Sequence, residues 1–107
     1  MKCTQRGTYD YAAQEDRSAP RIDVILAASL RAVGGKKLNT VVRNISLSGF
    51  CATAIAKIAP GTSCWLSIPG HQVMKAQVVW WEQGRVGCAF EQLLEPAILD
   101  AIIAKAD

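Results

Sequence analysis

Two short polar motifs contain the residues that could bind an anionic nucleotide. RSAPR places Arg17 and Arg21 four positions apart, and NISLSG places Asn44 two positions before Ser46, with Gly49 closing the motif. The planar guanidinium of arginine donates paired hydrogen bonds to phosphate oxygens or to the O6 and N7 edge of guanine. An amide and a hydroxyl on one face of a strand can bind ring nitrogens and exocyclic groups of a base. The arginines could therefore hold an anionic guanine nucleotide, and the strand residues could bind a base.

Each motif is weak when it is read alone. Either arginine alone indicates little, and NISLSG by itself is more typical of a polar β-turn with local side-chain hydrogen bonds. In that setting Gly49 would serve a tight turn or a close approach of two backbones. The charge distribution adds to the case for an anion: residues 17–48 carry six basic residues and one acid, or +5, while the whole chain has a net charge of +3. Such a local excess attracts phosphate, nucleic acid or an acidic partner, although a solvated basic face is an equally common reason for it.

Composition narrows the class of protein. Half of the 107 residues are hydrophobic, which is typical of one folded domain, and the apolar runs are too short to cross a membrane. Residues 1–20 contain no apolar stretch of the kind a secretory signal needs, so we expect a cytoplasmic protein. The four cysteines are widely spaced and there is one histidine, His71, in a turn-like PGHQ. We expect reduced thiols, no metal or other cofactor, and no enzyme, because no catalytic triad, phosphate loop or paired carboxylates are present.

The motifs lie within a series of predicted strands. Six short apolar runs are separated by turn signals such as Gly34-Gly35, Pro60-Gly61, Pro69-Gly70 and Gln83-Gly84, a pattern that indicates a β-barrel or sandwich. In the fifth run Met74, Ala76, Val78 and Trp80 alternate on one face, which predicts Trp80 in the core. In the sixth, Cys88 shares a face with Val86 and Phe90, so we expect it to be a small buried hydrophobe.

The two ends of the chain differ from this pattern. Residues 1–16 lack periodicity and are predicted to be a flexible arm, which leaves residues 17–107 for the folded domain. Near the C-terminus Pro96 suits a first helical turn. The apolar residues that then recur at helical spacing, and so form the face predicted to pack, are Ile98, Leu99, Ile102 and Ile103. We therefore predict an amphipathic helix at about residues 95–105, packed either against the barrel or against another chain.

Read together, the motifs resemble those of the PilZ domain family. RSAPR fits R-x-x-x-R and NISLSG fits [D/N]-x-S-x-x-G, in that order, and VVW followed by GCAF comes near the end of the strand pattern. The resemblance extends over roughly residues 15–105. It implies an all-β fold, a six-stranded antiparallel β-barrel with a C-terminal helix, and a receptor for the bacterial second messenger cyclic di-GMP.

The resemblance also implies a role for each motif residue. Arg17 and Arg21 would contact phosphate and guanine, and Asn44, Ser46 and Gly49 would hold the other guanine on the barrel surface. The arm would become ordered over the ligand and signal to a separate protein, whose identity the sequence does not give. Two departures favour weaker binding or a single bound ligand: Asn44 stands where many members have aspartate, and Asp16 stands where some have a further arginine.

Two other functions fit parts of the sequence. One is a PilZ-like adaptor of the type associated with type IV pilus assembly, with weak or no nucleotide binding, although members of that branch tend to lack the two motifs. The other is a small basic barrel for single-stranded nucleic acid, which would need exposed aromatic residues for stacking. Trp65 and Trp81 are the candidates, and we expect cyclic di-GMP rather than nucleic acid as the ligand.

Overall fold

Six antiparallel strands form a closed barrel in a computed structural model that describes residues 20–106. The neighbours around the barrel run β1-β2-β3-β6-β5-β4, and β4 pairs with β1 to close it. A helix, α1, follows the last strand. The predicted fold is confirmed, while the predicted arm at residues 1–16 lies outside the described residues. The strands are β1 (Ile22–Ala32), β2 (Lys37–Ile45), β3 (Gly49–Thr53), β4 (Ser63–Ser67), β5 (Met74–Glu82) and β6 (Arg85–Phe90), and α1 spans Pro96–Lys105.

Side-chain alternation explains the barrel. In β1 every second residue is buried, because successive side chains point to opposite faces of a strand. The inward side chains of all six strands meet in one core. Because closure pairs each of these strands with a neighbour on both sides, the sheet within residues 20–106 has no exposed edge strand. Phe50 and Phe90 sit at the centre of this core, with their ring centroids 5.4 Å apart.

Local turn chemistry is as the sequence predicts. Gln83 and Gly84 both have positive φ, at 52° and 79°, and join β5 to β6. Two such residues form the tight hairpin turn whose twist matches that of the flanking strands. The predicted turn at these residues is therefore confirmed.

The C-terminal helix begins at Pro96, as predicted, and packs against the barrel. Leu99 and Ile102 are buried in the same core as the strand residues. Ile98 is different, because it remains 40% exposed although it belongs to the apolar set of the helix.

Trp80 is buried as predicted, but not in the barrel core. Val78 pairs with Cys88 and Trp80 with Gly87, so a β-bulge between residues 78 and 80 shifts the alternation by one position. Gly87 lies between two inward residues of β6, and a Cβ added to it would come within 2.2 Å of the Trp80 indole. The indole therefore lies flat on Gly87, on the outer face of the barrel, where it forms a second small cluster with Cys51.

Candidate functional site

The start of β1 and the end of β2 bring Arg21, the last residue of the first motif, next to the second motif. Ile22 pairs with Ile45, and Asp23 pairs with Asn44. Arg21 and Ser46 each lie one residue beyond the Ile22–Ile45 pair. The Nη1 group of Arg21 donates to Oγ of Ser46 over 3.5 Å. Residues that are 25 positions apart in sequence are thus in contact. Arg17, the other arginine of the first motif, lies outside the described residues.

β-Bulges in β1 and β2 shape the part of the barrel surface on which Asn44 lies. Register shifts occur in β1 between Asp23 and Leu26, and between β2 and β3 at residues 42–44. Bulges re-aim side chains and are frequent beside functional sites. They leave Ile45 in the core while Asn44, only 7% exposed, lies between Asp23 on β1 and Cys51 on β3.

Residues 46–48 connect β2 to β3, and together with Gly49 at the start of β3 they are named the serine turn. The backbone N–H of Ser46 donates to the carbonyl of Gly49 over 2.9 Å, which closes the turn. Oγ of Ser46 accepts from the backbone N–H of Ser48 over 3.2 Å and lies 3.1 Å from the Ser48 hydroxyl. Ser46 is 1% exposed, and its hydroxyl contacts three groups, two of Ser48 and one of Arg21.

Gly49 allows two backbones to approach closely. A Cβ at this position would lie 2.2 Å from the carbonyl oxygen of Cys88, on the neighbouring strand β6. Its φ is not in the left-handed region that glycine alone adopts easily. Of the two reasons for a glycine considered from the sequence, the close approach is the one that the structure supports.

Ser48 completes this hydrogen-bond network, although it was not among the site residues predicted from the sequence. Ser48 is 4% exposed and its hydroxyl contacts that of Ser46. The alternation of Asn44, Ser46 and Ser48 at a spacing of two was a signal that could have identified it. Its role depends on the reversal of the chain at the turn, which the spacing alone does not show.

Removing the Ser46 hydroxyl should destabilise the fold. In Ser46→Ala the buried N–H of Ser48 loses its acceptor, and a buried donor without a partner costs about 1–3 kcal/mol. Ser48→Ala is the matched control, because it removes one hydroxyl but leaves that N–H bonded. We expect urea denaturation to show a larger loss of unfolding free energy for Ser46→Ala than for Ser48→Ala. An equal or smaller loss would contradict the network described here.

The core cysteines are structural. Cys51, Cys64 and Cys88 are buried free thiols, and Sγ of Cys64 lies 3.9 Å from Sγ of Cys88. Burial, with the contact to Cys64 as a smaller cause, raises the pKa of the Cys88 thiol well above its ordinary value. A neutral, buried thiol is a poor nucleophile, so the prediction that Cys88 is a small core residue is confirmed. Within residues 20–106, no three His, Cys, Asp or Glu residues form a group that could hold a metal ion.

The two tryptophans considered for nucleic-acid stacking do not share a surface. Trp65 lies between the inward residues Cys64 and Leu66, so it faces outward, and the guanidinium of Arg31 lies 4.5 Å from its ring centroid. Trp81 packs against the core, and its indole N–H donates to the carbonyl of Ala54 over 3.3 Å. A continuous row of stacking rings, as single-stranded nucleic acid requires, is therefore not formed by these two residues.

Comparison with known proteins agrees with this geometry. The family model for the PilZ domain matches residues 15–105, which include both motifs, all six strands and the helix. A search of curated proteins found no match. No helix within residues 20–106 is long and apolar enough to span a membrane. PilZ domains are binding and adaptor domains, not catalytic ones. Because the match covers nearly the whole chain, this protein belongs to the PilZ domain family.

Proposed function

We propose that this chain is a receptor for cyclic di-GMP, the ligand to which the PilZ family is generally linked. The observation that supports this best is the contact between Arg21 and Ser46, which joins the two ligand motifs at one place on the barrel. A hydrogen bond of 3.5 Å is long and therefore weak. An anionic ligand offers Arg21 stronger, charge-assisted bonds and can replace that contact at little cost.

Each residue of the site has a proposed role. The guanidinium of Arg21, with that of Arg17, holds a phosphate and the O6 and N7 edge of one guanine. Asn44 and the hydroxyl of Ser46 bind the other guanine, for which the amide oxygen accepts from ring and exocyclic N–H groups. Gly49 keeps the serine turn against β6, so that the wall which receives the base is already in place. Because these groups are already held close to their binding positions, ordering them costs little binding free energy.

The proposed signal passes to another protein. Ligand held by Arg17 would order residues 1–16 over the barrel and change the surface that a partner meets. The chain thus acts as a bacterial, cytoplasmic second-messenger receptor whose output depends on a partner. In this role the chain acts by binding the ligand and passing the signal to the partner, and it catalyses no reaction.

Calorimetric titration with cyclic di-GMP tests this proposal, with cyclic di-AMP as the matched control. Adenine carries an amino group where guanine has O6 and lacks the guanine N2 amino group, so an arginine fork cannot bind it in the same way. We expect binding of cyclic di-GMP that is at least roughly tenfold tighter than binding of cyclic di-AMP, the effect of losing about 1.4 kcal/mol. No heat with folded protein at high ligand concentration would refute the receptor and favour an adaptor that binds no nucleotide.

Replacing Asn44 by aspartate should strengthen binding and weaken the fold. A carboxylate accepts stronger bonds from guanine N–H groups than an amide does, a difference of about 1 kcal/mol, so we expect roughly fivefold tighter binding of cyclic di-GMP. The same carboxylate is buried beside Asp23 across the β1–β2 ladder, so Asn44→Asp should also lower the midpoint of urea denaturation. Calorimetry and denaturation of the same variant measure both effects, and weaker binding by a folded variant would contradict the role given to Asn44.

A further inference from the structure

A groove lies between the segment entering β5, the segment leaving β6 and the start of α1. Its volume is about 490 Å³. The large apolar side chains Val73, Leu93 and Ile98 line it and are 58%, 51% and 40% exposed. The Nε2 atom of His71 is buried in its wall and has no hydrogen-bond partner. Exposed apolar residues that are gathered in a concave surface, rather than scattered singly, indicate a binding surface.

The rim of this groove is acidic on a basic chain. Of the charged residues that line it, Glu91 and Glu95 are acidic and Lys75 is basic, which gives the groove one carboxylate in excess, whereas the chain as a whole has a net charge of +3. Glu91 and Glu95 line the groove and are exposed. Lys75 lies 3.8 Å from Glu91, and because both side chains are about half exposed this ion pair is weak. The surface, named here the acidic groove, therefore combines apolar walls with an excess of carboxylates.

The acidic groove is hydrogen-bonded to the serine turn. The carbonyl of Leu47 accepts from the backbone N–H of Leu94, and the carbonyl of Ser48 accepts from that of Phe90, both over 2.9 Å. Leu94 and Phe90 line the groove, while Leu47 and Ser48 belong to the turn that follows Asn44. A shift of the turn on ligand binding would thus move the groove wall directly.

We propose that the acidic groove binds a basic and apolar segment of a partner protein. This inference rests on the proposed function, because it names the surface that receives the signal from the ligand turn. Charge complementarity identifies the occupant: lysines or arginines of the partner would meet Glu91 and Glu95, while its apolar side chains cover Leu93 and Ile98. A second copy of this chain fits less well, since a two-fold interface through the groove brings the same carboxylates of the two copies together.

A peptide titration followed by NMR tests the proposal without any nucleotide. The probe is a synthetic helical peptide of leucine and lysine, and its control is the same peptide with glutamate in place of every lysine. We expect the lysine peptide to shift the backbone amide signals of residues 71–75 and 90–98, and the glutamate peptide to leave them in place. Equal shifts from both peptides, or shifts from the lysine peptide confined to other surfaces, would overturn the assignment.

Charge reversal sharpens the test. The double variant Glu91→Lys, Glu95→Lys should bind the lysine peptide at least roughly tenfold more weakly than the unmodified chain. Glu82→Lys, which reverses an exposed acid at the end of β5, should bind it as before. An unchanged affinity of the double variant for the lysine peptide would show that the acidic groove is not the peptide-binding surface. So would concentration-dependent dimers that Leu93→Asp abolishes, since they would assign the surface to a second copy.

The coupling between the cyclic di-GMP site and the acidic groove is measured by repeating the peptide titration with cyclic di-GMP present. Ligand and peptide should change each other's affinity by at least roughly fivefold, the lower end of typical coupling between two sites. The outcomes separate the two proposals: a chain that binds peptide but no nucleotide retains the groove and refutes the receptor. A chain that binds nucleotide but no peptide refutes the groove, and binding of both without mutual effect refutes the connection through the serine turn.

Discussion

Gly49→Ala is expected to lower the free energy of unfolding by about 3 kcal/mol and to abolish measurable binding of cyclic di-GMP. The added methyl group would lie 2.2 Å from the carbonyl oxygen of Cys88, and that oxygen belongs to the backbone of β6. No side-chain rotation can relieve the clash, so β3 and β6 must separate. The serine turn would move with Gly49, because Ser46 donates to the Gly49 carbonyl. Urea denaturation and calorimetry measure the two effects.

Gly35→Ala is the matched control for this change. Gly35 lies in the β1–β2 turn, and a Cβ there would be 3.3 Å from the Ala32 carbonyl oxygen, a tight contact that an exposed turn can relax. We expect it to change the unfolding free energy by less than about 1 kcal/mol and to leave ligand affinity unchanged. Equal losses in the two variants would show that the Gly49–Cys88 approach has no special importance for this barrel.

Arg21→Ala should weaken cyclic di-GMP binding by about ten- to a hundredfold while leaving the fold intact. Charge-assisted hydrogen bonds contribute about 1.5–3 kcal/mol each, which corresponds to an affinity change of this size. Arg21 precedes β1 and is only partly buried, so we expect truncation of its side chain to cost less stability than a change in the core. Calorimetric titration of the variant gives the affinity directly.

Arg31→Ala is the control for the loss of a positive charge. Arg31 lies near the far end of the same strand, where its guanidinium stacks on Trp65. We expect this variant to bind cyclic di-GMP as the unmodified chain does. If Arg31→Ala weakened binding as much as Arg21→Ala, the contribution of Arg21 would be one of general charge, and its place in the site would be wrong.

Local features of the sequence were sufficient to predict the strands, turns and helix, whereas the choice of a barrel over a sandwich came from the resemblance to the PilZ family. The alternation of apolar residues, the turn at Gln83 and Gly84, and the helix start at Pro96 each depend on neighbours in sequence, and each is present in the structure. The same holds for the burial of Cys88 between Val86 and Phe90.

Features that depend on register between strands could not be predicted in this way. The bulge that places Trp80 over Gly87 adds one residue to β5 relative to β6. The apolar Val79 and Trp81 interrupt the alternation there, but they do not by themselves show a change of register. The reason for Gly49 is likewise an atom on a different strand, the Cys88 carbonyl oxygen. The helical periodicity grouped Ile98 with the buried residues, yet it faces a groove whose other walls come from β5 and β6.

The site itself lies between these two cases. The spacing of Asn44 and Ser46 was visible in the sequence, and their place opposite the start of β1 follows from strand pairing. The contact between Arg21 and Ser46 brings together one residue from each motif. In the sequence, the two motifs are linked only by their resemblance to those of the PilZ family. The role of Ser48 emerged from the hydrogen bonds of the folded turn.

The central claim, that cyclic di-GMP binds where Arg21 meets the serine turn, is tested most directly by NMR titration of the isotope-labelled chain. The account predicts that cyclic di-GMP shifts the backbone amide signals of Arg21, Asn44 and residues 46–49 at low ligand concentration. Smaller shifts should follow at residues 90 and 94, which are hydrogen-bonded to that turn. A spectrum unchanged at high ligand concentration, or changes confined to surfaces remote from the turn, would contradict it.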